Sequence, residues 1–123
     1  MNEAVSKLSD LIDTPINEFT VKGLSHQNTH SHQWFIACDK PNLNEVDVAR
    51  QLDEFLIQTN DDYATERKHA LSSIKVKLIP SDLFILWMQE QGKFGSQNKF
   101  PRVLSSSKYE EWIEFLKQQQ ITF

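Results

Sequence analysis

Residues 32–38 read HQWFIAC, and the run from Trp34 to Cys38 is apolar almost without a break. Alternate side chains of a strand point to opposite sides, so an unbroken apolar run of this kind is a strand covered on both faces. A sheet built around such a strand has to be flanked by helices. The rest of the chain is therefore read for what could cover it.

Downstream, PNLNEVDVARQLDEFLIQTN (41–60) places Leu43, Val46, Ala49, Leu52 and Leu56 at helical spacing with Phe55 beside them, and Asn42 with Glu45 reads as a capping pair. DDYATERKHALSS (61–73) is polar around one aromatic and predicts loop mixed with a short helix. IKVKLIP (74–80) alternates, with Ile74, Val76 and Leu78 inward and Lys75 and Lys77 outward. Ser81 is expected to cap a helix that buries Leu83, Phe84, Trp87 and Met88, and Gly92 falls where a glycine should stop it. In SKYEEWIEFL (107–116), Ser107 and Glu110 match a capping box, and Tyr109, Trp112, Ile113 and Leu116 form the buried stripe. QQQITF (118–123) is assigned to no element.

Upstream, NEAVSKLSDLID (2–13) places Val5, Leu8, Leu11 and Ile12 on one helical stripe that Pro15 is expected to end. INEFTVKGL (16–24) has the β-branched and aromatic content of a strand, and SHQNTHS (25–31) reads as a polar loop. Two strands in direct succession imply an antiparallel hairpin, and strand–helix–strand implies a right-handed crossover. The expectation is an α+β fold: one domain over residues 1–123, with a small mixed sheet of about three to four strands flanked by helices.

Bulk properties limit the function classes. A chain of 123 residues is one ordinary domain, and 39% apolar with 24% charged residues is a globular composition. A net charge of −4 disfavours a nucleic-acid partner, and no apolar run approaches membrane-spanning length. The one cysteine, Cys38, lies in the apolar strand and reads as core, so a reducing cytoplasm is the expected compartment.

One loop stands apart. GKFGSQNKFPR (92–102) holds Gly92 and Gly95 of the chain's 3 glycines, with two lysines and an arginine. It lacks the spacing of a phosphate-cradling Walker loop and, coming after a helix, is no dinucleotide turn. Gln97, Asn98, Lys99 and Arg102 could converge on an anion or a carbonyl; the competing reading is a solvated connection. Composition alone leaves both open.

Extended to GKFGSQNKFPRVL, this loop resembles the closing signature of the auxin-responsive-promoter (Gretchen Hagen) family of acyl acid amido synthetases, which pairs glycine, lysine and an apolar residue with glycines, Gln, Lys, Pro and Arg. EFTV, HQWFI, LDEFLIQTNDDYATERK and VKLIPSDLFILWMQEQGK resemble further family segments in the same order. There are departures. Ser96 replaces a glycine, Asp82 and Leu83 replace a Gly-Thr pair, and Ser105 to Ser107 replace an Asn-Asp-Arg segment. Ala37 and Cys38 stand where an acidic residue often comes after the strand, a place Asp39 can take by a small shift.

The resemblance covers only the family's C-terminal domain, so it implies an excised domain or truncated product, inactive alone, whose partner is a large N-terminal adenylation domain. It implies an ATP-dependent ligase, using ATP with Mg2+, that turns a carboxylic acid into an acyl adenylate and then joins it to an amino acid. Lys99 is the expected catalytic cation. Gln97, Asn98, Arg102 and Gly95 are the expected nucleotide or phosphate contacts, and His32 and Arg67 the interdomain positions. Arg67 is expected to pair either locally or across the domain gap. The alternative is a standalone non-catalytic α+β binding module descended from that domain. A small hydrolase ranks last, since no nucleophile–base pair is evident.

Three histidines, His26, His30 and His32, stand close in sequence, but no cysteine or carboxylate joins them locally, so they are read as loop and strand-end residues without a metal. Substrate identity and oligomeric state are not encoded in these features.

Overall fold

A computed structural model of the chain describes residues 1–92 and 99–123. Its elements run α1 (Asn2–Ile12), β1 (Phe19–His26), β2 (Thr29–Ala37), α2 (Glu45–Thr59), α3 (Asp61–His69), β3 (Leu71–Ile79), α4 (Ser81–Glu90) and α5 (Ser106–Gln118). β2 is the central strand of a three-stranded sheet, antiparallel to β1 and parallel to β3. The fold is α+β, a hairpin plus a crossover, as the sequence predicts.

The HQWFIAC run does separate two cores. Trp34, Ile36 and Cys38 join one cluster with Val5 and Leu8 of α1 and Val48, Leu52 and Leu56 of α2. Phe35 and Ala37 point the other way, into a cluster with Phe84, Trp87 and Met88 of α4 and Trp112, Phe115 and Leu116 of α5. The second core is aromatic. Trp112 lies 5.1 Å from Phe84, 5.4 Å from Trp87 and 5.0 Å from Phe100 between ring centroids, tilted or edge-on in each case. Such pairs add about 0.5–1.5 kcal/mol each beyond the area they bury.

Several local expectations shift. SHQNTHS is mostly strand: His26 pairs with Thr29, so only Gln27 and Asn28 form the turn, and Gln27 takes a positive φ of 55°. α1 stops before Pro15, at the left-handed Asp13. Leu11 is exposed, as is Val46, and Val48 takes the buried place in α2. The real N-caps lie at Asn44 and Ser105, whose side chains accept from the Asp47 and Lys108 amides; Asn42 and Ser107 do not serve. Tertiary packing sets the rotation of a helix, and the cap follows the first turn that this rotation allows.

Ser81 does not cap α4. Instead Asp39, just past β2, accepts from the Ser81 amide at 2.9 Å. That bond to the Ser81 backbone holds the Asp39 carboxyl below the usual carboxylate range. Gly92 does lie beyond the end of α4 with a φ of 72°, as a glycine stop requires. In the tail, Ile121 packs on the aromatic core and the Phe123 ring stands edge-on to Phe35.

Candidate functional site

Of the loop singled out by the sequence, Gly95, Gln97 and Asn98 lie outside the described residues; Lys99 and Arg102 lie within them. Beyond Asn98 the chain forms an arm, residues 99–104, laid along the outer edge of β1. The Val21 amide donates to the Arg102 carbonyl at 2.9 Å, and the Leu104 amide donates to the Val21 carbonyl at 3.0 Å. Val21 and Val103 thereby form an isolated parallel bridge, a rudiment of a fourth strand. Pro101 lacks an amide to contribute, which an edge position tolerates.

Side chains pin the arm from both faces of the sheet. Phe100 is 1% exposed and fills the aromatic core, 4.8 Å from Phe84 and 5.1 Å from Trp87 between centroids. Leu104, also buried, closes the other end. Between them Arg102 crosses to the α1 face: its guanidinium carbon lies 4.2 Å from the centroid of Phe19. Its Nη1 donates to Glu18 Oε1 at 2.7 Å and to the Phe19 carbonyl at 3.1 Å. Glu18 Oε2 accepts from the Phe100 amide at 3.2 Å. One carboxylate thus holds the arm at two points, while the Ala37 amide donates to the Glu18 carbonyl at 2.9 Å and fixes Glu18 itself.

Lys99 is exposed, immediately before this pinned segment. A flexible four-carbon stem rooted in fixed backbone can reach outward with a single positive charge. Beside the arm, a cleft of about 240 Å³ is walled by Trp87, Met88, Val103, Leu104 and Lys108, with Gln91 at its rim. The Lys108 ammonium is held there by Gln91 Oε1 at 2.9 Å and Glu111 at 3.1 Å.

His32 and Arg67 are placed elsewhere. Arg67 pairs locally: its Nε reaches both oxygens of Asp53 at 3.1 and 3.2 Å, and its Nη1 donates to the carbonyls of Leu71 and Ser72 at 3.0 and 3.1 Å. It ties α3 to α2 and to the start of β3. His32 lies in β2 opposite Gly23, with its Nε2 3.8 Å from Glu66. Partial burial lowers its pKa, and the nearby Glu66 charge opposes that only in part. A groove of about 540 Å³ between α2 and β3 lies at the opposite edge of the sheet from the arm. Among the described residues, no group of three His, Cys, Asp or Glu side chains could hold a metal ion.

Sequence reasoning missed Glu18. EFTV marks a strand start, and nothing local distinguishes its carboxylate from any exposed acid. Its one signal was the arginine, which needs a counter-charge wherever it is partly buried.

The profile of the GH3 family C-terminal domain matches residues 1–108. Among solved structures, a GH3.15 acyl acid amido synthetase superposes with a TM-score of 0.67 at 20% identity, covering 95% of this chain and 22% of that one. A second, solved as AtGH3.15 acyl acid amido synthetase in complex with 2,4-DB, gives a TM-score of 0.63 at 18% identity, with 95% and 22% covered. The chain thus spans about a fifth of the length of these synthetases. No curated protein matches by sequence.

Proposed function

The chain belongs to the GH3 family, as its C-terminal domain, and on that footing we propose that it is the mobile, phosphate-side domain of an ATP-dependent ligase that joins a carboxylic acid to an amino acid. Its partner in this reading is a large N-terminal domain that holds the acid and the nucleotide.

In the first half-reaction a carboxylate oxygen attacks the α-phosphorus of ATP. The bond to the bridging oxygen breaks, and pyrophosphate leaves with the electron pair, giving an acyl adenylate. In the second, the amino acid's neutral amine attacks the acyl carbon. The acyl C–O bond breaks, AMP leaves, and the surplus ammonium proton passes to solvent. Negative charge builds around the α-phosphate only in the first step, so a cation needed there is best carried on a part that can move away.

Lys99 is that cation in this reading. The observation that carries it is the contrast between adjacent residues: Phe100 is 1% exposed in the aromatic core, whereas Lys99 is exposed. An ammonium on a rigid root can be aimed without the loss of order that a free loop would cost. Arg102 acts as the strut that keeps the root in place, its Nη1 already engaged by Glu18 and Phe19. Gly95, Gln97 and Asn98 would line the nucleotide as the domain closes, and Mg2+ would arrive with ATP. Amide formation itself draws on the acyl and amine pockets of the larger domain.

The test is single-turnover kinetics of the full-length enzyme carrying Lys99→Ala. Pyrophosphate release should slow by about 100-fold or more, with aminolysis of a preformed adenylate little changed. Unchanged pyrophosphate release would remove Lys99 from the reaction.

A further inference from the structure

We propose that Glu18 is a positioning residue for Lys99, a carboxylate latch that sets where the ammonium points. The inference rests on the role proposed for Lys99 above and extends it to a residue outside the loop.

The geometry supports a latch in three ways. First, the two oxygens of Glu18 are divided between backbone and side chain of the arm, Oε2 on the Phe100 amide at 3.2 Å and Oε1 on Arg102 Nη1 at 2.7 Å. The Phe100 amide is one half of the peptide bond whose other half is the Lys99 carbonyl. Fixing it therefore fixes the peptide plane from which Lys99 projects, because that plane does not bend. Second, Glu18 is itself held, its carbonyl accepting from the Ala37 amide at 2.9 Å beside the central strand. The arm is thus referenced to the most buried part of the sheet. Third, among the described residues no other acceptor reaches the Phe100 amide. The Phe100 ring anchors its side chain against Phe84 and Trp87, and the Val21 pairing starts only at Arg102.

The Arg102 and Glu18 side chains are 35% and 27% exposed, and the guanidinium has a further acceptor in the Phe19 carbonyl and lies over the Phe19 ring. Both bonds are part-buried, so removing the carboxylate also costs stability, about 1–3 kcal/mol. Two charge-assisted bonds on one short segment also orient it, adding directional specificity to their strength. Removing them should let the Lys99 backbone rotate, and small misplacements of a reacting group are costly to rate.

Two measurements test this. In the present chain, Glu18→Ala and Glu18→Gln are compared with the native protein by amide hydrogen exchange. The expected result is a protection factor at the Phe100 amide lowered by Glu18→Ala about tenfold more than at the amides of β2, a uniform loss across both overturning the latch. Unaltered protection at Phe100 would overturn the latch. In the full-length enzyme, Glu18→Gln should slow single-turnover pyrophosphate release about tenfold, leave the KM for the carboxylic acid and the aminolysis rate alone, and be partly rescued in Glu18→Asp. A purely structural role would instead slow both half-reactions together. If Lys99→Ala slows pyrophosphate release and Glu18→Gln does not, Lys99 keeps its role and Glu18 loses its own. If Lys99→Ala is also without effect, both assignments fall.

Discussion

The Tyr63 hydroxyl donates to Asp53 Oδ1 at 2.6 Å, on the same carboxylate that receives the Arg67 Nε. Helices α2 and α3 are thereby joined through one acid shared by two donors. Burial first, and then the bond to Asp53, push the Tyr63 hydroxyl well above the ordinary tyrosine range, which favours the protonated, donating form.

Removing that hydroxyl tests how much of the α2–α3 junction is polar. Tyr63→Phe keeps the ring and should cost about 1–3 kcal/mol, read as a lower urea midpoint at unchanged m value. A neutral result would mean that the Arg67 fork alone satisfies Asp53.

His32 should make the fold acid-sensitive. Its pKa is lowered from 6.5 in the folded state, chiefly by burial. The native state therefore prefers the neutral ring: this contribution is fully present above pH 6.5 and is lost as pH falls through the lower, folded pKa. The thermal midpoint should drop on acidification below that point, and the drop should be smaller in His32→Gln. The His32 ring protons should titrate by NMR with a midpoint below 6.5.

Phe100 and Lys99 should separate cleanly in stability. Phe100→Ala empties a site in the aromatic core and should cost about 3–5 kcal/mol. Lys99→Ala removes an exposed side chain and should change stability by no more than about 0.5 kcal/mol. Chemical denaturation of the two variants checks both; a destabilised Lys99→Ala would mean that its side chain is spent inside the domain.

Thr20 is completely buried, and its hydroxyl has no partner among the described residues. Thr20→Val keeps the shape and removes a polar group that was desolvated without return, so it should stabilise by about 1 kcal/mol. A loss of stability would show that the hydroxyl has a partner after all, such as a bound water.

Most of the fold was legible where the pattern was strong. The apolar run at Trp34–Cys38 announced a strand with two covered faces, and its side chains do divide between two cores. The α4 stripe of Phe84, Trp87 and Met88 was likewise readable. Errors fell where two readings of the same local chemistry were close. Asn42 and Asn44, or Ser105 and Ser107, are equally good caps in isolation; Val46 and Val48 compete for one stripe. Helix rotation against the sheet chose between them.

The site was only half legible. A lysine, a proline and an arginine around one aromatic advertised the arm, and its likeness to a family signature gave it a meaning. What holds the arm was invisible: Glu18 and Arg102 are 84 residues apart, and neither spacing nor periodicity relates them.

The residue pattern alone thus determined the elements, the two-faced central strand and the cationic arm, because these arise from side-chain periodicity and nearest-neighbour hydrogen bonding. Only the tertiary structure decided that Arg102 turns inward onto Phe19 while Lys99 stays outside. That choice depends on which distant groups, an acidic side chain at the β1 edge and an aromatic core between α4 and α5, come to lie against the arm once the chain has closed on itself.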